Sequence, residues 1–191
     1  MRNNLLKILV FGLLLSNTSI ANDLINAAKE RLKHKVIYDG SYQKIAYPMG
    51  DVSDNKGVCT DVVIRAYRQI GIDLQELVHV DMKARFSEFP SIWGLRKPDS
   101  NIDHRRVPNL EVFFAEKGES LAVTKNKADY KSGDIVTWRL NHNNLPHIGV
   151  VSDVKSASGT PLIIHNIGMG PQMNDMLFAH KIVGHYRYLS D

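Results

Sequence analysis

A single thiol, two histidines and an asparagine carry the chemistry this sequence can offer. Cys59 is the only cysteine in the chain. It follows the loop Asn55-Lys56-Gly57-Val58 and opens an apolar helical pattern made by Val62, Val63, Ala66, Tyr67 and Ile70. The unpaired N–H groups and dipole at a helix start stabilise a thiolate, so this is a favourable place for a nucleophile. A free cysteine is also among the most buried residue types, so the placement needs partners before it means catalysis. His147 follows Pro146 at the start of a β-prone run, and His165 and Asn166 end another. Thiol, imidazole and a third polar group that orients the imidazole make up a cysteine hydrolase. Alternation along a strand puts His165 and Asn166 on opposite faces, so only one can reach His147. His165 is preferred, because Leu162 and Ile164 would share Asn166's face, with Asn166 as the alternative orienter.

The elements that must hold these groups can be read in order. Helical spacing predicts a helix over Asn22–Lys33, a second from Cys59 to Gly71, a third from Asp73 to about Phe86, and a short one over Asn109–Glu116 closed by Gly118. Pro90 to Pro108 reads as a loop. Strands are expected at Val36–Tyr38, Gly133–Trp138, His147–Val151, Pro161–His165 and Lys181–Tyr188, with Lys155–Gly159 as a hairpin loop. Helices first and an antiparallel sheet afterwards make an α+β domain, with the cysteine helix packed on a small sheet.

The chain has 191 residues, enough for one domain with a real core. Arg2 and Lys7 flank the start of an apolar run, Leu5–Leu15, and Ser19-Ile20-Ala21 offers small residues where a signal peptidase reads. The run is too short for a membrane span and fits a signal peptide over 1–21, leaving a single domain over 22–191. The expected product is exported to the periplasm, or secreted, with no stable membrane insertion. In an oxidising compartment a lone cysteine has no internal disulfide partner. The net charge of +4 includes the two cations of the leader. The near-balanced remainder is no nucleic-acid footprint. His34, His79, His142, His180 and His185 show no ligand spacing, so no metal and no cofactor is expected.

Taken in order, Val58-Cys59-Thr60-Asp61-Val62-Val63, Gly133-Asp134-Ile135-Val136, His147-Ile148-Gly149-Val150-Val151 and Ile164-His165 resemble the motif series of the NlpC-type papain-like peptidases. The whole mature chain more closely resembles an exported bacterial family known as domain of unknown function 1287. The shared stretches are Tyr-Pro-Met-Gly-Asp at 47–51, Gly-Val-Cys-Thr-Asp-Val-Val at 57–63, Asp-His-Arg-Arg-Val-Pro-Asn-Leu at 103–110 and Pro-His-Ile-Gly-Val-Val at 146–151. The broader resemblance implies a papain-like fold and cleavage of amide bonds in cell-wall peptides. It also implies a tyrosine beside the nucleophile, matched here by Tyr47. The closer resemblance implies fold and site but no substrate.

The resulting expectation is an exported cysteine peptidase or amidase acting on peptidoglycan stem peptides through Cys59, His147 and His165. Two alternatives use the same residues: a non-catalytic cell-wall peptide-binding module, and a thiol acyltransferase. Tyr47 and Asp61 are expected at the oxyanion or cleft wall, Asp61 as a partner for a substrate amine. Asp103, His104, Arg105 and Arg106 are expected to bind substrate, because arginine forks hold carboxylates bidentately and stem peptides are rich in carboxylates.

Overall fold

The computed structural model describes residues 20–188. The expected leader lies outside the described residues except for positions 20 and 21, which open the first helix. Helix α1 spans 20–30 and runs on into a 3-10 turn at Arg31–Lys33. It buries Leu24, Ile25, Ala27 and Ala28, the face its spacing marks as apolar. Two short strands follow, β1 (Ile37–Tyr38) and β2 (Lys56–Gly57), which pair in parallel. Helix α2 (Cys59–Gln69) starts two residues after that pairing and buries its first nine residues in succession. Gly71, at φ +85°, ends it, a conformation L side chains rarely adopt. Asp73 then caps α3 (Leu74–Arg85) by accepting from the Gln75 N–H at 3.1 Å. Helix α4 (Val107–Lys117) begins at Val107-Pro108, earlier than its sequence pattern suggests, because proline suits a first turn whose N–H groups have no intrahelical partner.

The second half is a six-stranded antiparallel sheet. Its strands are β3 (Glu119–Ser120), β4 (Ile135–Arg139), β5 (Pro146–Lys155), β6 (Pro161–Asn166), β7 (Pro171–Asn174) and β8 (Lys181–Arg187). They lie in the order β3-β8-β4-β5-β6-β7. Ile135, Ile148, Val150 and Ile164 pack against α1, α2 and α4, while Val136, Trp138, Val151 and Ile163 pack under Tyr130, Met176 and Leu177 on the other face. Both faces are therefore covered, which explains why β5 reads as a nearly continuous apolar run. The molecule is an α+β domain. No described helix is long and apolar enough to cross a membrane.

Candidate active site

The start of α2 is held by charge. Asp61, one turn into the helix, reaches back to accept the Val58 N–H at 2.6 Å. Arg105 clamps the same carboxylate with two bonds of 2.9 Å, from Nε and Nη2. Both side chains are sealed, Asp61 at 4% exposure and Arg105 at 2%. Arg105 also donates to the Asp39 carbonyl at 3.2 Å, and the Thr60 hydroxyl donates to the Arg105 carbonyl at 3.1 Å. This network fixes the loop, the first helical turn and therefore the direction of Cys59. Asp61 is saturated and buried, so it does not line the cleft or meet a substrate amine; it positions the helix start.

Cys59 borders a cleft of about 410 Å³ whose wall also includes Tyr38, Trp93, Arg106, Leu145 and His147. The backbone of Ile148 and of Thr60 and the Tyr38 hydroxyl lie close enough to the sulfur to ease its ionisation. Tyr38 gets there because β1 pairs with the strand immediately before the cysteine, Tyr38 opposite Gly57. Tyr47 does not. The Met49 N–H donates to Asp73 at 2.7 Å and the Gly50 N–H to Gln75 at 2.8 Å, which fastens its segment to the start of α3. The Tyr47 ring is left half-exposed, edge-on to His79 at 5.0 Å. The tyrosine at the thiol is Tyr38, and the expectation for Tyr47 is corrected.

The imidazole side is a directed chain of hydrogen bonds. His147 Nε2 lies 2.9 Å from His165 Nδ1, and His165 Nε2 lies 2.8 Å from Asn174 Oδ1. The Asn174 amide is turned this way by its Nδ2, which donates to Gln172 at 3.3 Å. A carbonyl oxygen only accepts, so His165 donates from Nε2 and its Nδ1 must accept. His147 therefore donates from Nε2, and its Nδ1 carries the free lone pair. That nitrogen has no hydrogen-bond partner among the described residues, and it is not among the sealed unpaired atoms such as Nδ1 of His79 and His104. The rings meet over Gly149. A Cβ there would stand 2.6 Å from the Ile163 side chain and 3.1 Å from the His165 Cβ, so only glycine permits this approach of β5 and β6. His165 is thus the group that orients His147. Asn166 leaves β6 on the other face, where it accepts the Gly168 N–H at 3.1 Å and has no contact with the imidazole.

Burial dominates the electrostatics. It pushes the Cys59 thiol up to about 11, against the opposing pull of the Ile148 and Thr60 backbone. It pushes His147 down to about 3, helped by the nearby His165 and His180, and lowers His165 as well. Both shifts favour a neutral thiol and a neutral imidazole on the cleft.

Of the segment Asp103–Arg106, most is spent internally. Asp103 is buried and accepts from the Asp99 N–H and, at 3.1 Å, from Arg106. His104 is buried, and its loss of solvent holds its basicity down to about 3. Arg105 borders the cleft with its fork already occupied by Asp61. Only Arg106 keeps donors to offer, lying over Trp93 at 4.1 Å from the ring centre. The site residues with no sequence expectation are Tyr38, Trp93 and Asn174. Alternation in Pro171–Asn174 was a signal for the last, since a strand paired to β6 in that register places Gln172 and Asn174 on the His165 face.

The family model described as Domain of unknown function (DUF1287) matches residues 25–188. An uncharacterized protein of Escherichia coli (strain K12), YijF, is 52% identical over 173 residues, covering 91% of this chain and 83% of its relative. The matched span holds Cys59, His147, His165 and Asn174 together, and the chain belongs to the DUF1287 family.

Proposed function

We propose that this chain is an exported cysteine hydrolase of papain-like type that cleaves amide bonds, with peptidoglycan stem peptides as its substrate class. The observation that carries the proposal is the His147–His165–Asn174 relay, which leaves His147 Nδ1 as an unused acceptor on the cleft that Cys59 borders. A buried imidazole held in one tautomer with one nitrogen idle is what a general base requires. The amide bond, the cell-wall substrate and export rest on the sequence resemblance and on the apolar leader.

The shifts of Cys59 and His147 define the order of events. Burial favours the neutral form of both groups at rest, so proton transfer accompanies attack. Cys59 Sγ adds to the amide carbonyl carbon as its proton passes to His147 Nδ1. The oxyanion is met by the Cys59 N–H at the helix start and the Tyr38 hydroxyl. The carbon–nitrogen bond then breaks as His147 returns the proton to the leaving amine. Water attacks the thioester, with its proton taken by His147, and the carbon–sulfur bond breaks as His147 returns that proton to the sulfur, releasing the acid. His165 and Asn174 hold the tautomer throughout.

The test is intact-protein mass spectrometry of enzyme quenched in acid during incubation with purified stem peptides. A mass gain equal to the acyl fragment, mapped to Cys59 and absent in Cys59→Ala, is the expected result. An added amine acceptor distinguishes hydrolysis from acyl transfer. Peptide binding with no cleavage and no adduct would instead favour a binding module.

A further inference from the structure

Five arginines of this domain show what their forks are for. Arg65, Arg85, Arg105 and Arg187 each spend the Nε and Nη2 edge on one carboxylate, those of Asp51, Asp81, Asp61 and Asp134 respectively. Arg106 does not. Its only side-chain hydrogen bond runs from Nη1 to Asp103 at 3.1 Å, and its Nε and Nη2 have no partner among the described residues. Stacking on Trp93 holds the guanidinium plane, and the bond to Asp103 holds its far corner. A planar fork fixed at two points, with its bidentate edge unspent, is preorganised for a carboxylate.

The surroundings point to the same ligand chemistry. Arg106 borders the cleft that contains Cys59, and no aspartate or glutamate among the described residues lines that cleft. Arg106 is also the N-cap of α4, with no side chain bonding to the helix start, so the positive end of that helix opens at the same place. Leu140, Leu145, Pro146 and Ile167 add apolar surface. The matching ligand is a peptide that carries a carboxylate beside an apolar stretch.

We infer that Arg106, shelved on Trp93, is a carboxylate-binding residue of the cleft and makes a free carboxylate on the peptide a requirement for recognition. This rests on the proposed reading of the cleft as a peptide site, and its test is independent of turnover. N-acetyl-alanyl-glutamate and the same dipeptide with both carboxyls amidated are titrated against the Cys59→Ala protein by ligand-observed NMR. The acid is expected to bind about tenfold or more tighter than the amide, the scale of a charge-assisted bidentate contact. Arg106→Gln should bring the two affinities together. Arg106→Lys, which keeps a cation beside Asp103, should recover only part of the difference. Equal binding of acid and amide, binding of neither, or an acid preference that survives in folded Arg106→Gln would each overturn the inference. An acid preference in a protein that cleaves nothing would leave the carboxylate site standing and remove the hydrolase.

Discussion

Two buried histidine networks sit in the same sheet and differ in how they end. On β8, His185 Nε2 faces Asp134 at 2.7 Å and its Nδ1 faces the Ala122 carbonyl at 3.2 Å. Arg187 clamps the same carboxylate at 2.8 and 3.0 Å, the Lys131 N–H adds another donor at 2.8 Å, and Tyr130 stacks on the ring at 4.3 Å. Both ring nitrogens there face a protein atom within hydrogen-bond distance. On β5 and β6, His147 and His165 are just as buried, yet their chain stops at an idle nitrogen on a cleft. A closed network adds rigidity, whereas an open one keeps a lone pair available for a proton. The difference separates the two networks more sharply than burial does, since the imidazoles of His147, His165 and His185 are all exposed by 2% or less.

The comparison can be broken most forcefully from the open side. His147→Gln should lower Cys59-dependent amide cleavage by about 10²–10⁴-fold, the scale of one general acid–base residue, with an unchanged circular dichroism spectrum. A smaller loss in the folded variant would make His147 no more than a wall of the cleft. The closed network should answer in stability instead. Asp134→Ala removes the buried carboxylate shared by Arg187, His185 and the Lys131 N–H and should cost about 3–5 kcal/mol in urea unfolding. Cys59 alkylation in the fraction that remains folded should keep the wild-type rate.

Acid tests the buried imidazoles as a group. In the unfolded chain His104 and His147 take up protons near the ordinary histidine value of about 6.5, whereas burial holds both down to about 3 in the fold. The unfolded state therefore binds more protons between those limits, so stability should be full above about pH 6.5 and fall progressively toward pH 3. Urea midpoints across that range should show the decline, and His147→Gln should flatten it. A midpoint independent of pH in this window would contradict the neutral resting site. The smallest effect is expected at the far end of the relay. Asn174→Ala removes one hydrogen bond, worth about 1 kcal/mol, and should slow cleavage about fivefold while lowering the urea midpoint only slightly.

How much of this was legible in the sequence follows from the range of the contacts. The helix that starts at Cys59 and the strands bearing His147 and His165 are written in local periodicity, so the thiol and its imidazoles stood out. Parity along β6 also separated His165 from Asn166, as the structure confirms on opposite faces. Tyr38 was missed because its place depends on a two-residue parallel pairing between positions far apart in sequence. Asn174 was missed because the alternation in a four-residue strand after a glycine-rich turn is too short to fix which strand it pairs with. Asp61 and Arg105 misled for a different reason. Acid and base in a candidate cleft suggest substrate contacts, and only three-dimensional pairing shows that the two neutralise each other. The Gly133-Asp134 motif turned out to belong to the scaffold, where Asp134 is the centre of the closed network.

The most direct measurement of the central claim is digestion of purified peptidoglycan, with release of new amino termini followed for the wild type and for Cys59→Ala. The expected result is release by the wild type that disappears in the variant, by about 10⁵-fold or more for loss of a catalytic nucleophile. No release by the wild type, or equal release by Cys59→Ala, would contradict it.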